Sequence, residues 1–363
     1  MSIPPADAQS LDFAASPAPS QPTIAPFSFT GRGGEYFRIW IVNLLLSIVT
    51  LGIYSAWAKV RRTKYFYDNT NIHGSSFEYH GNPIAILKGR IIAVVLIGAY
   101  NIAFKLSPVI GLLALLLMMG GMPWLIWKSY QFKLYNSSYR GIRFGFRGSA
   151  GQSYVKYLLL PILAGITFGL LLPFAHQRSK KYLHEESKFG TTHFSFDAGA
   201  GSFYKAYLIA AAVAWLGYAA ILVMFGGTLM AMLAGLKHAG AATLINLSLM
   251  FFCMYAWTFL IVPLFLTMIQ NLIWSHTKLG PHQFHSNLKW SKMAFIMITN
   301  LLGIVFTLGL FTPFAQIRAL KYRVESVTLH AADSLDNFVA DEEAHGSATS
   351  EGMSDLLDFD LSL

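Results

Sequence analysis

The sequence predicts an all-α polytopic membrane protein with three internal repeats and small interfacial β-hairpins, in about seven apolar segments, some of them open to a re-entrant reading. Three observations carry that prediction. Hydrophobic residues make up 54% of the 363 and charged residues 12%, against roughly a quarter charged in an ordinary soluble domain, so the chain needs lipid as its solvent. Uncharged apolar runs cover residues 39–57, 91–104, 106–127, 157–177, 206–236, 239–277 and 293–317, most of them near or beyond the ~20 residues that cross a bilayer as helix. Finally, one string occurs three times: TLGIYSAWAKVRRTKY at 50–65, TFGLLLPFAHQRSKKY at 167–182 and TLGLFTPFAQIRALKY at 307–322.

Each part of that string has a physical reading. Thr50, Thr167 and Thr307 precede Gly52, Gly169 and Gly309, where glycine permits a break or a close backbone approach; Pro173 and Pro313 then remove a helix donor, with Ala56 in that place in the first copy. A helix should kink or end there. Trp57, Phe174 and Phe314 follow as interfacial anchors, and Arg61, Arg178 and Arg318 with Lys64, Lys181 and Lys321 fall on the same helical side, ahead of Tyr65, Tyr182 and Tyr322. That pattern describes an amphipathic exit helix aimed at phosphates, whether lipid headgroups or a bound anionic solute.

A second motif recurs between the apolar runs. Ile72, Tyr139, Phe189 and Leu279 each precede Phe77, Phe144, Phe194 and Phe284 by five positions, and Phe27, Phe29 and Gly31 form a partial fifth copy. Polar or glycine-containing links between such positions predict short β-hairpins. Their aromatic faces either dock at the membrane interface or simply pack over the helix ends.

Charge sets out the topology. All 27 Lys and Arg lie between positions 32 and 323, while nine of the 18 acids lie after position 330. Cationic loops belong on the cytoplasmic side. The links after the first, third and fourth apolar runs are all basic, which strict alternation cannot place on one side. Two topologies remain open: ordinary seven-helix alternation, or spanning hairpins interleaved with repeated segments that enter and leave from one face, with both termini cytoplasmic. Residues 1–26, with six prolines, read as a disordered leader, residues 27–330 as the repeated membrane domain, and 331–363 as an acidic disordered tail. Within the domain the repeats span about 27–82, 137–199 and 277–330, with helical hairpins at about 85–130 and 203–275.

The strings TLGIYSAWAKVRRTKY and FTGRGGEYFRIWIVNLLLS, with the hairpin units, resemble the YjgN family of bacterial inner-membrane proteins over residues 27–329. The middle copy departs from the pattern, with Leu160 where the others carry Asn43 and Asn300. The resemblance implies an inner-membrane, multi-pass location and supplies no catalytic residue, substrate or cofactor.

Chemistry is sparse. The apolar runs hold no acid, which argues against proton- or sodium-coupled carriers. Asn43, Asn101, Asn246 and Asn300 are the candidates for a polar path, or for interhelical hydrogen bonds. Neither a nucleotide-binding loop nor a metal-ligand set is evident, and Cys253 is single, so the expectation is no enzyme, no cofactor, no metal and no nucleic-acid partner. The functional expectation is a transporter or channel for a small solute; the alternative is a scaffold that binds anionic lipid headgroups through the Arg, Lys and Tyr of the repeat.

Overall fold

The computed structural model describes residues 23–233 and 240–332. The predicted leader lies outside those residues except for positions 23–26, which form the start of the first strand, and the predicted acidic tail lies outside them beyond position 332.

Five β-α-α-β units follow one another along the chain. The first is β1 (Thr23–Phe29), α1 (Gly33–Val49), α2 (Ser55–Asp68) and β2 (Thr70–Ile72); the second is β3 (Ser75–Tyr79), α3 (Pro83–Leu106), α4 (Pro108–Tyr135) and β4 (Ser137–Tyr139). The third runs from β5 (Ile142–Phe146) through α5 (Ala150–Tyr154), a π turn (Val155–Leu159), α6 (Leu160–Ile166) and α7 (Leu172–Glu185) to β6 (Ser187–Phe189). In the fourth, β7 (Thr192–Phe196), α8 (Ala200–Met224), α9 (Gly226–Leu233) and α10 (Ala241–Ser275) lead to β8 (Thr277–Leu279). The fifth is β9 (His282–Ser286), α11 (Trp290–Phe306), α12 (Thr312–Glu325) and β10 (Val327–Ala331).

The ten strands close into one antiparallel barrel, so the all-α class with small separate hairpins is overturned. Hairpins do form where the sequence predicts them. His73 and Gly74, like Arg140 and Gly141, both hold positive φ, and Gly190 and Gly280 hold it at the first turn position, the conformations that two-residue hairpin links require. What local pattern could not reveal is the pairing between hairpins. Strands β3, β5 and β7 divide their pairing between two neighbours: in β3, Ser75 and Ser76 pair back to β2, whereas Phe77, Glu78 and Tyr79 pair with β4, across the whole of α3 and α4. Closure is made by β1 and β10, where Thr23 opposes Ala331.

Helix length alternates around the barrel. Units two and four carry four helices long and apolar enough to cross a membrane: Pro83–Leu106, Pro108–Tyr135, Ala200–Met224 and Ala241–Ser275. At 1.5 Å per residue, 24 to 35 residues extend roughly 36–52 Å, more than the ~30 Å hydrocarbon core. In units one, three and five the apolar runs at 39–57, 157–177 and 293–317 each fold back on themselves, so among the described residues about seven straight segments reduce to four helices long enough to span and three short hairpins.

Candidate functional site

The barrel interior is where side chains from all five units converge. One level of it consists of five cross-strand pairs, Phe27–Ile72, Phe77–Tyr139, Phe144–Phe189, Phe194–Leu279 and Phe284–Leu329. Every unit gives one Phe and one bulky partner. The five Phe rings neighbour one another in a closed circuit, with centroid separations of 6.2, 6.2, 6.5, 6.3 and 6.3 Å, each within the range of favourable aromatic pairing at about 0.5–1.5 kcal/mol. The hairpin aromatics thus point into the lumen and not toward a membrane interface, because the barrel closes around them.

Toward the helices the lumen opens into a chamber of about 340 Å³, inside the range of small-molecule sites. At the step where helix becomes strand, Thr70, Ser137, Ser187 and Thr277 each donate a hydroxyl to the carbonyl four residues back, at 2.8, 2.8, 2.6 and 2.8 Å. Those hydroxyls satisfy orphan helix carbonyls, which leaves the wall apolar in character. Three residues before each helix-to-strand junction stand Tyr67, Leu134, His184, Trp274 and Val324, and all five line the chamber mouth. Sequence reasoning missed them: the position repeats fivefold, but the residue type does not. The signal available was their fixed distance from each hairpin.

The chamber lining also carries a cation. Arg323 lines the chamber and donates Nε–H to Gln270 Oε1 at 2.7 Å, while the Gln270 amide donates to the Arg323 carbonyl at 3.1 Å. Burial lowers the pKa of Lys180, and the charges of Lys133 and Arg323 lower it further, so Lys180 of α7 lies within electrostatic reach of Lys133 of α4 and of Arg323 of α12. His184, buried and stacked on Phe196 at 5.4 Å, has its pKa pushed down to about 3, foremost by burial and then by Lys180.

The thrice-repeated string builds the tips of the short hairpins. Thr50 caps α1, Leu51 turns to φ 51° and Gly52 to φ 90°, while Leu51 N–H bonds Ile48 O at 3.1 Å and Gly52 N–H bonds Ser47 O at 2.7 Å. This is a Schellman stop. Thr167, Phe168 and Gly169 repeat it, as do Thr307, Leu308 and Gly309. Each Thr hydroxyl also receives the N–H four residues on, from Tyr54, Leu171 and Phe311, which starts the return helix. Pro173 and Pro313 sit in the first turn of α7 and α12, where a missing N–H costs nothing, so they begin helices instead of kinking them.

The remaining repeat residues mostly serve the fold's internal joints. Trp57 packs beside Ile86 and Phe132 of unit two, Phe314 stacks on Phe37 of unit one at 5.6 Å, and Phe174 lies under Arg178 at 5.0 Å. Tyr65 accepts from Arg32 N–H at 2.9 Å, Tyr322 accepts from Lys289 N–H at 2.8 Å, and Tyr182 donates to Ser149 O at 2.9 Å, so each tyrosine pins the strand-to-helix corner of its own unit. The arginines diverge. Arg61 donates to the Tyr54 hydroxyl at 3.3 Å, whereas Arg318 donates to Asn300 Oδ1 at 2.8 Å and Thr299 Oγ1 at 3.0 Å. Lys181 and Lys321 pair with Glu185 and Glu325 one turn on, at 3.4 and 3.7 Å, and Lys64 lies near Asp68, whose carboxyl is raised by burial and drawn back by that lysine.

The four asparagines do not converge on one path. Asn300 donates to Ala315 O at 3.0 Å between α11 and α12; Asn43 is buried in the equivalent place, its Oδ1 without a partner. Asn101 bonds Ile97 O within its own helix and Asn246 is exposed on α10.

Comparison with known proteins places these features in a family. The family described as "Bacterial protein of unknown function (DUF898)" matches residues 24–356. The protein named Inner membrane protein YjgN from Salmonella typhimurium is 30% identical over 145 residues, 40% of this chain and 37% of the relative. Its namesake from Escherichia coli K12 is 32% identical over 149 residues, covering 39% and 36% respectively, and that from Escherichia coli O157:H7 is 30% identical over 162 residues, covering 44% and 40%. The matched region thus spans well under half the length of these curated relatives. No solved structure matches.

Proposed function

Because the chain belongs to the DUF898 family and is similar to the inner membrane proteins named YjgN, we propose that it is a lipid-binding protein of the bacterial inner membrane whose barrel receives the apolar chain of an anionic amphiphile. The observation that carries this reading is the chamber: an aromatic floor, aliphatic and aromatic walls, and Arg323 at a mouth framed by α2, α4, α7, α10 and α12. An apolar chain gains by leaving water for such a wall, and an anionic head gains at a cationic rim. Lys133 and Lys180 would add to that rim. Anionic headgroups remain the partner of choice, and the chamber mouth joins the outer Arg and Lys of the repeat as a place that takes them.

Passage of a small polar solute is the weaker reading, since the Phe circuit fills the lumen and the asparagines are dispersed. We take the protein to bind and not to catalyse, in keeping with wall hydroxyls that are committed to helix carbonyls. The barrel and both chain ends are assigned to the cytoplasm by charge: near the far turns of the long hairpins the sequence carries only Lys105 and Lys237, while the other 25 basic residues fall in the short hairpins, the barrel and the barrel-proximal ends.

The test uses full-length protein in detergent micelles with a fluorescent anionic long-chain fatty acid. Saturable binding is expected in the native protein, with loss on Leu279→Trp, which fills the chamber, and weakening on Arg323→Gln. Binding that is unsaturable, or unchanged in both variants, would sink the reading.

A further inference from the structure

Leu51, Phe168 and Leu308 stand at the tips of the three short hairpins, 94%, 98% and 95% exposed. Each is a bulky apolar residue at φ near +50°, a conformation in which glycine would sit without strain. A side chain that touches almost nothing in its own protein, yet holds a position better suited to glycine, has its use outside the chain. The neighbours agree: Ile48, Val49 and Ile53, Ile166 and Leu170, and Val305 and Phe306 are exposed around the same tips.

Length then fixes how far the tips reach. α1 and α11 have 17 residues each and α2, α7 and α12 have 14, roughly 21–26 Å at 1.5 Å per residue; Arg32, Lys289 and Arg323 stand at their barrel ends, and Arg62 and Arg178 at mid-helix. With that basic portion among headgroups, a tip ends inside a hydrocarbon core ~30 Å thick and stops short of its far side. The long helices of units two and four, which rise from the same barrel, continue through.

We propose that units one, three and five are half-bilayer wedges: their tips insert into the barrel-side leaflet only, so that this leaflet holds ten helical rods and the opposite leaflet four. The occupant of the tip surface is lipid acyl chain. Basic side chains below each tip complement anionic headgroups, and the surface is continuous with the four spanning helices. Six additional rods at 10–12 Å diameter add roughly 500–700 Å² to one leaflet. A bilayer holding that excess bends with the barrel side convex, and the protein collects where the membrane already has that curvature.

Two measurements on the full chain, reconstituted in phosphatidylcholine–phosphatidylglycerol vesicles, decide it. With Cys253→Ala as background, nitroxides placed at Leu51→Cys, Phe168→Cys and Leu308→Cys should be reached by oxygen and shielded from a water-soluble nickel chelate; Leu106→Cys, at the turn of a long hairpin, should report the opposite surface. A nickel chelate that reaches the three tips overturns the proposal. In giant vesicles with the barrel outward, the protein should be enriched several-fold in narrow drawn tubes over the flat membrane, and the combined Leu51→Asp, Phe168→Asp and Leu308→Asp variant should lose that enrichment. The three side chains are exposed, so the variant keeps its helices, checked by circular dichroism. Equal density in tube and flat membrane, or enrichment undiminished by the three aspartates, overturns it as well.

Discussion

Short and long hairpins rise from one barrel, and the difference between them is confined to their outer ends. At the base, units one to five supply the same Phe in the lumen and the same helix-to-strand step. At the top, units one, three and five stop at a Thr-capped turn with positive φ, while α4 and α10 continue as helices of 28 and 35 residues with Pro123 and Pro263 buried inside them. A Pro in a helix interior removes one hydrogen bond but leaves the helix running when packing holds it. A Schellman turn reverses it. Hairpin length is therefore set by the tip, independently of the barrel that carries it.

If the bases are equivalent, the largest effect should ignore hairpin length. Phe77→Ala and Phe194→Ala in the long units, and Phe144→Ala and Phe284→Ala in short ones, should each cost about 3–5 kcal/mol, read by denaturant unfolding in micelles. A cost that tracks hairpin length would break the comparison.

The short units differ among themselves, and that sharpens it. Asn300→Leu leaves the Arg318 guanidinium and Ala315 carbonyl short of partners and should cost about 2 kcal/mol. Asn43→Leu, which puts in unit one what unit three already has at Leu160, removes a buried oxygen that bonds nothing and should stabilise by about 1 kcal/mol. Equal effects at the two sites would refute the assignment of the Asn300–Arg318 pair as a local joint.

At the chamber mouth the unit-three position holds His184 where the others hold Tyr67, Leu134, Trp274 and Val324. Its folded pKa of about 3 lies below the ordinary 6.5, so the unfolded chain takes up a proton first. Stability is full above pH 6.5 and falls at about 1.4 kcal/mol per pH unit as pH drops toward 3. His184→Leu should flatten that part of the pH–stability curve, and an unchanged slope would show that the imidazole is not held neutral. The smallest effects belong to the exposed pairs: Lys181→Gln and Lys321→Gln should each cost no more than about 0.5 kcal/mol, visible as a small midpoint shift that vanishes in high salt.

Much of this arrangement was legible residue by residue, and much of its meaning was not. The Thr-x-Gly string located every short turn, because a helix stop is made by neighbours in sequence. The spacing from Ile72 to Phe77, and its three other copies, located the hairpins for the same reason. Barrel closure escaped, since Phe77 meets Tyr139 across two membrane helices and strands of three to five residues carry little periodicity of their own. Tyr65, Tyr182 and Tyr322 read in sequence as headgroup-binding partners of the repeat's Arg and Lys, and their hydroxyls bond the strand-to-helix corners, because a phenol's partner is chosen in space. The mouth positions share a place and no chemistry, which is why the chamber stayed out of sight.

The seam between β1 and β10 has a consequence for how the molecule is made. Thr23 is among the first of the described residues to leave the ribosome and Ala331 among the last, so the first strand lacks one neighbour until the fifth unit has been synthesised. During that interval the growing sheet has two open edges, and open edges invite pairing with another chain. Barrel closure waits for the fifth unit, and a chain truncated before Val327 would be left with an edge for a second nascent copy to join.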